Sequence, residues 1–272
     1  MNYSGRRIQN SLLSIALTAV LLIFLKIYGI PLYRMQVWSG WILFTLILLL
    51  LIYNIRKKLS MLPLGRAAFW LQCHAYLGLV TCVMFIQHIN FRFPSGNFEI
   101  LFSSVFIFTA FTGIFGLILS RVVPKYLSSR GEEVIFERIP IFTVKLKDQS
   151  QALIKECVSA TKSKVLFDYY QQHLFEYFCE PKNIFFHLIG SNSAWNKMLI
   201  KHRTFDRFLS DEENEYADKL LILMRQKNDL DYHYALQGLL KAWTFLHFPL
   251  SFALLVLSLL HVALVYAFVG GI

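Results

Sequence analysis

The chain has 272 residues, of which 56% are hydrophobic, 16% aromatic and 16% charged, with 25 Phe and a formal net charge of +10. A soluble domain is nearer to about 45–50% apolar and about 25% charged. With a mean hydropathy of +0.49, this composition excludes a disordered or collagen-like chain, a small disulfide scaffold and an ordinary soluble globule.

Apolar runs appear in chain order at 11–30 (broken only by Lys26), 36–55 (with the run FTLILLLLIY), 67–89, 98–120 and 242–269. Each is long enough to cross a hydrocarbon core of about 30 Å at about 1.5 Å per residue. Five such runs with almost no charge do not fit a soluble core. The first follows Arg6 and Arg7, as a secretory signal would. Its apolar part is long for a signal, however, and no small-residue cleavage site of the A-x-A type follows, so an uncleaved helix is expected.

A basic balance suits nucleic acid or a membrane surface, and the location of the charges decides between them. Arg6 and Arg7 precede the first run, and Arg56, Lys57, Lys58 and Arg66 lie between the second and third. The 121–241 segment carries 18 basic and 16 acidic residues, whereas the opposite side has Arg34 and Arg92 in its loops. The positive-inside rule therefore predicts a multi-pass protein of a bacterial-type inner membrane, with a cytoplasmic N-terminus and a periplasmic C-terminus. Most of the excess charge is juxtamembrane, so membrane lipid and not nucleic acid is the expected partner.

The expected organisation is four transmembrane helices in 1–120, a cytoplasmic insertion at 121–240 and a fifth transmembrane helix in 241–272. Within the insertion, 135–146 (IFERIPIFTVKL) reads as β-like stretches interrupted by Pro140. Helical patterns follow at 150–162, 165–179 and 211–227. The last begins after Ser210 with Glu213 three positions on, a capping-box signature. No internal repeat or low-complexity tract is evident.

Four of the eight histidines lie inside apolar runs, where ionisable residues are costly and usually functional. His74 and His88 share the third run, and His247 and His261 the fifth; each pair is 14 positions apart. Fourteen residues of α-helix turn through about 1400°, within about 40° of the starting face, and rise about 21 Å. The third and fifth runs, separated by one span, run parallel. His74 then meets His247 at one depth and His88 meets His261 at the other. Neutral imidazole is a good iron ligand, so each facing pair can supply both axial ligands of a haem b. Interhelical hydrogen bonding or a proton relay is the competing use, and two pairs at identical spacing argue against it.

Gly78 and Ser251 each follow a first histidine by four residues and would leave room for a flat macrocycle. Ordinary helix packing also favours small residues there, as it does for Gly113 and Gly116 in the fourth run. Pro249 should kink the fifth helix just after His247. Arg66, Arg92 and Lys241 stand near histidine-bearing helix ends, where they could pair with haem propionates or simply anchor the interface. Trp38, Trp41, Trp70 and Trp243 read as an interfacial aromatic belt. His173, His187, His202 and His233 lie in the polar segment without paired spacing and read as surface or structural. Cys73, Cys82, Cys157 and Cys179 form no C-x-x-C, so neither covalent haem nor an iron–sulfur cluster is expected.

The double H-x13-H pattern on parallel helices resembles the dihaem core of cytochrome b from quinol–cytochrome c oxidoreductases. It is also similar to the haem helices of the ferric reductase and NADPH oxidase superfamily, where the third and fifth spans carry the pairs. The resemblance covers roughly residues 66–120 and 241–268. The chain departs from the first family in its large insertion and in lacking the Pro-Glu-Trp-Tyr quinol motif. It departs from the second because no flavin or nicotinamide domain follows, and its glycines form no G-x-G-x-x-G pattern.

The resemblance implies an all-α integral membrane protein whose four-helix bundle binds two haems. As a subunit of an oxidoreductase complex, it would carry electrons across the bilayer. The expected small molecule is a quinone or quinol, and the expected partner a peripheral redox subunit, such as a multihaem cytochrome c or an iron–sulfur protein. A transmembrane ferric or oxygen reductase subunit fed by a separate flavoprotein is the alternative. A haem-free scaffold or transporter subunit is the alternative of another class.

Overall fold

A computed structural model describes residues 3–32, 35–58, 66–128, 130 and 134–269. Arg34 and 270–272, on which part of the topology reading rests, lie outside the described residues. The described residues are helical throughout, with no strand. The elements are α1 (Tyr3–Leu32), α2 (Met35–Lys58), α3 (Ala67–His88), α4 (Asn97–Leu127), α5 (Ile139–Thr161), α6 (Val165–Tyr169), α7 (Phe175–Cys179), α8 (Ile184–Leu188), α9 (Ser193–Phe205) and α10 (Asp211–Val269). A π-helical turn, Tyr170–Leu174, joins α6 to α7.

Helices α1, α2, α3, α4 and α10 are long and apolar enough to cross a membrane. Their apolar side chains are largely uncovered: Leu12, Leu13, Ile15 and Val20 of α1 are each at least 60% exposed. So large an apolar surface is unfavourable in water and is matched by hydrocarbon. The chain divides into two compact units, residues 1–118 with 243–272, and residues 119–242.

In the first unit the core joins Leu25 of α1, Leu43, Leu46 and Ile47 of α2, Val80, Met84 and Phe85 of α3, Phe106 of α4 and Leu254 of α10. The α3 members recur at helical spacing, which gives that helix one inward face. Phe85 and Phe106 stack with centroids 4.0 Å apart. Hydroxyls on these helices bond back to their own backbone, Thr81 to the Leu77 carbonyl at 2.8 Å and Ser258 to that of Leu254 at 2.7 Å. Such back-bonding removes the cost of a bare hydroxyl in an apolar setting. Gly116 accommodates the indole of Trp243, whose Nε1–H donates to the Thr112 carbonyl at 2.7 Å. A side chain at position 116 would occupy the space of that ring.

The second unit has its own core of Leu146, Ile154, Leu166, Tyr170, Phe178, Leu220 and Met224, among others. Here one sequence expectation is corrected. Residues 135–146 are not β-like: a 3-10 turn, Phe136–Arg138, leads directly into α5. Pro140 stands in the first turn of α5, where a missing N–H has no partner to lose and its fixed φ suits the helix. Helix α10 runs as one helix from the insertion into the fifth apolar run. Its 211–241 stretch holds seven Leu, a good helix former, and contains no proline. Its start matches the capping box: Glu213 N–H donates to Ser210 Oγ at 3.3 Å, and Ser210 N–H to Glu213 Oε2 at 3.1 Å.

The second unit also buries charge. Lys227 and Asp231, one turn apart on α10, form an ion pair at 2.6 Å with side chains 0% and 2% exposed. His187, His202 and His233 are buried too, and only His173 of the four insertion histidines is exposed. His202 Nε2 donates to the Ala217 carbonyl and His233 Nε2 to that of Arg130. Among the described residues, His187 Nε2 has no partner. Burial, together with the Arg130 and Lys227 charges, lowers the His187 pKa to about 4. The unfolded imidazole, with its ordinary pKa near 6.5, binds more protons than the folded one between those values, so stability falls as pH drops through that window. The expected loss is about 2–3 kcal/mol by pH 4. Thermal melts of the full chain from pH 7 to pH 4 should show it, and His187→Gln should flatten the dependence.

Candidate functional site

The four histidines of the apolar helices are each half-buried. Three hold one ring nitrogen against a protein acceptor. His74 Nδ1 lies 3.1 Å from the Leu50 carbonyl of α2. A carbonyl only accepts, so Nδ1 carries the proton. His247 Nδ1 lies 2.9 Å from Thr112 Oγ1 of α4. That hydroxyl donates its own proton to the Thr109 carbonyl at 2.9 Å, so it accepts from the imidazole. His88 Nδ1 lies 3.0 Å from Ser39 Oγ of α2, which likewise donates to the Gln36 carbonyl at 3.0 Å. In all three rings the anchor assigns the Nδ1–H tautomer and leaves the lone pair on Nε2. Ligating histidines are oriented in the same way, by a hydrogen bond from the other ring nitrogen.

A glycine stands beside two of these hydroxyls. Gly40 follows Ser39, and a Cβ there would come within 3.1 Å of His88 Cε1. Gly113 follows Thr112, and a Cβ there would come within 3.4 Å of His247 Cε1. Thus a hydroxyl residue followed by glycine on a neighbouring helix holds each ring, the first by a hydrogen bond and the second by leaving space. Aromatic rings complete the settings. Tyr53 lies 5.1 Å from His74, and Trp243 stacks on His247 at 5.5 Å and 18°. His261 lies 6.2 Å from the Phe98 ring and 5.4 Å from that of Phe102.

His88 and His261 come together, with ring centroids 6.4 Å apart and planes at 88°. With a metal–nitrogen bond of about 2.0 Å and about 1.2 Å from nitrogen to ring centre, two imidazoles on opposite sides of one metal have centroids about 6 Å apart. A metal-bearing group placed between these two rings would be held by His88 and His261. His74 and His247 are anchored to different neighbours, α2 and α4. Among the described residues no group of three or more His, Cys, Asp or Glu is gathered to hold a metal ion.

Of the other sequence candidates, Gly78 has open space where a Cβ would stand. Ser251 Oγ donates to the His247 carbonyl at 2.9 Å, a contact within its own helix. Arg66 is the exposed N-cap of α3, and Arg92 is exposed in the turn after it. Lys241 belongs to the second unit, where it pairs with Glu137 and lies 4.0 Å over the Phe136 ring. Ser39, Gly40, Leu50, Thr112 and Trp243 were not singled out from the sequence as contacts of the histidines. The available signal was a hydroxyl–glycine dipeptide, Ser39-Gly40 and Thr112-Gly113, in each of two otherwise apolar runs.

Comparison of the chain with models of protein families, with curated proteins and with solved structures found no match to any of them.

Proposed function

We propose that this chain is a membrane cytochrome b subunit that carries electrons across the bilayer through two bis-histidine haems, one held by His74 and His247 and the other by His88 and His261. A bound haem iron cycles between ferric and ferrous states and so stores one electron. The chain's own residues bind and orient it. Three Nδ1–H groups donate to Leu50, Thr112 and Ser39, which places the ring lone pairs on Nε2. Gly40 and Gly113 leave room for the rings, and the open space beside Gly78 suits a flat group. The 14-residue interval on both helices supports two such sites at different depths.

The observation that carries this reading is the anchoring of three intramembrane imidazoles in the ligand-ready tautomer, together with the facing of His88 and His261. The charge pattern supports a cytoplasmic N-terminus, a periplasmic C-terminus and a bacterial-type inner membrane. A quinone or quinol on one side and a peripheral redox subunit on the other complete the proposed circuit, and the 119–242 unit is the proposed docking platform.

The visible spectrum of the detergent-solubilised protein tests the proposal. A low-spin b-type spectrum with two haems per chain is expected, and its reduction by quinol would distinguish this role from that of a reductase fed by a flavoprotein. Absence of a Soret band in membranes supplied with haem would overturn it.

A further inference from the structure

Helix α8 turns one side chain inward, that of His187. The rest of 184–189 lies outward as an apolar ridge: Ile184, Phe186 and Leu188 are exposed, Phe185 by 68% and Ile189 by 58%. Adjacent apolar side chains on a surface are unfavourable in water and mark a binding face. The charge around the ridge has one sign. Residues 181–205 hold Lys182, Lys197, Lys201 and Arg203 and no Asp or Glu, although the 121–241 segment carries 18 basic and 16 acidic residues. Lys197 and Lys201 are exposed on α9.

Contacts within the second unit set the level of this ridge. Lys182 N–H donates to Asp231 Oδ2 at 3.3 Å, and the His187 ring meets that of Tyr232 edge-on at 5.8 Å. Tyr232 Oη in turn donates to the Tyr126 carbonyl at 3.5 Å, near the end of α4. Tyr126 stands six residues past the apolar run that ends at 120, about 9 Å along the helix. The headgroup layer adds about 5–8 Å on each side of a hydrocarbon core of about 30 Å. Helix α8 is therefore tied to the point at which α4 leaves the bilayer.

We infer that the 184–189 ridge is a lipid-binding surface. Its apolar side chains enter the leaflet from which α4 emerges, and the lysines of 181–205 meet anionic lipid headgroups. Apolar and aromatic side chains bordered by basic residues bind membrane surfaces in this way. A bilayer is the favoured occupant because the unit is continuous at both ends with helices apolar enough to cross one, so lipid is always within reach. The surface holds the insertion against the membrane, and it rests on α4 crossing the bilayer and not on any haem.

Spin labels on the full chain in nanodiscs containing phosphatidylglycerol test this, with the four native cysteines replaced by alanine. Labels at Phe185→Cys and Ile189→Cys are expected to be open to oxygen and shielded from a water-soluble nickel chelate. Ile222 is also exposed and lies about 15 Å farther than Tyr232 from the fifth apolar run along α10, so a label at Ile222→Cys should be open to the chelate. Nanodiscs of phosphatidylcholine alone should raise nickel access at 185 and 189, and unchanged access there would overturn the role of the lysines. Nickel access at 185 equal to that at 222 would overturn the inference, as would shielding from both reagents, the sign of a protein cover. Should the cysteine-free chain fail to fold, benzoylphenylalanine in place of Phe185 in the otherwise wild-type chain decides the matter. A cross-link to phospholipid is expected, and a cross-link to protein, or none, would overturn the inference.

Discussion

His88→Ala and His261→Ala are each expected to remove one haem of two and to leave the other bound. The His88 and His261 rings lie 6.4 Å apart, so on the proposed pairing either substitution would take one of two histidines from the same haem. The His74–His247 level lies about 21 Å away along the helices. Between the two levels stand Val80, Met84, Phe85, Phe106 and Leu254, a packed core that does not depend on either ring. The haem content per chain should fall from two to one in both variants, with the far-UV spectrum unchanged. His74→Ala and His247→Ala should give the same stoichiometry with the opposite haem retained. Loss of both haems, or of neither, in well-folded His88→Ala and His261→Ala would contradict the pairing.

Asp231→Ala should destabilise the 119–242 unit by about 3–5 kcal/mol. It leaves the Lys227 ammonium fully buried, with the Glu180 carbonyl at 3.0 Å and the face of Tyr177 as its remaining partners. It also removes the acceptor for the Lys182 backbone N–H. An uncompensated buried charge costs far more than the intact pair contributes. The double variant Lys227→Met/Asp231→Leu removes both charges and should recover most of the loss. In thermal melts of the full chain, Asp231→Ala should lower the midpoint by about 10 °C or more, with the double variant close to wild type. A double variant as unstable as the single one would show that the pair itself stabilises the unit.

The correction to the sequence reading has a physical cause. At 135–146 the β-branched and aromatic residues resemble strand, yet Pro140 and the inward spacing of Thr143, Leu146, Ser150 and Ile154 make one helix with a buried face. That face is visible only when 135–146 is read together with the residues after it. The change in hydropathy expected between 240 and 241 does not interrupt α10, because a change in solvent is not a helix stop. The capping box at Ser210 and Glu213 was legible because both partners lie within one turn.

Composition and spacing alone determined that the chain is helical, that five of its helices match a hydrocarbon solvent, and that two histidines share a face on each of two helices. These follow from quantities that add along one helix: apolar area, rise per residue and turn per residue. Only the tertiary structure decided which neighbours anchor His74, His88 and His247, which tautomer those three adopt, that Gly40 and Gly113 leave space for rings, and that Lys227 is buried against Asp231. Those depend on which helix lies alongside and how it is rotated, and a hydrogen bond of about 3 Å tolerates little error in either.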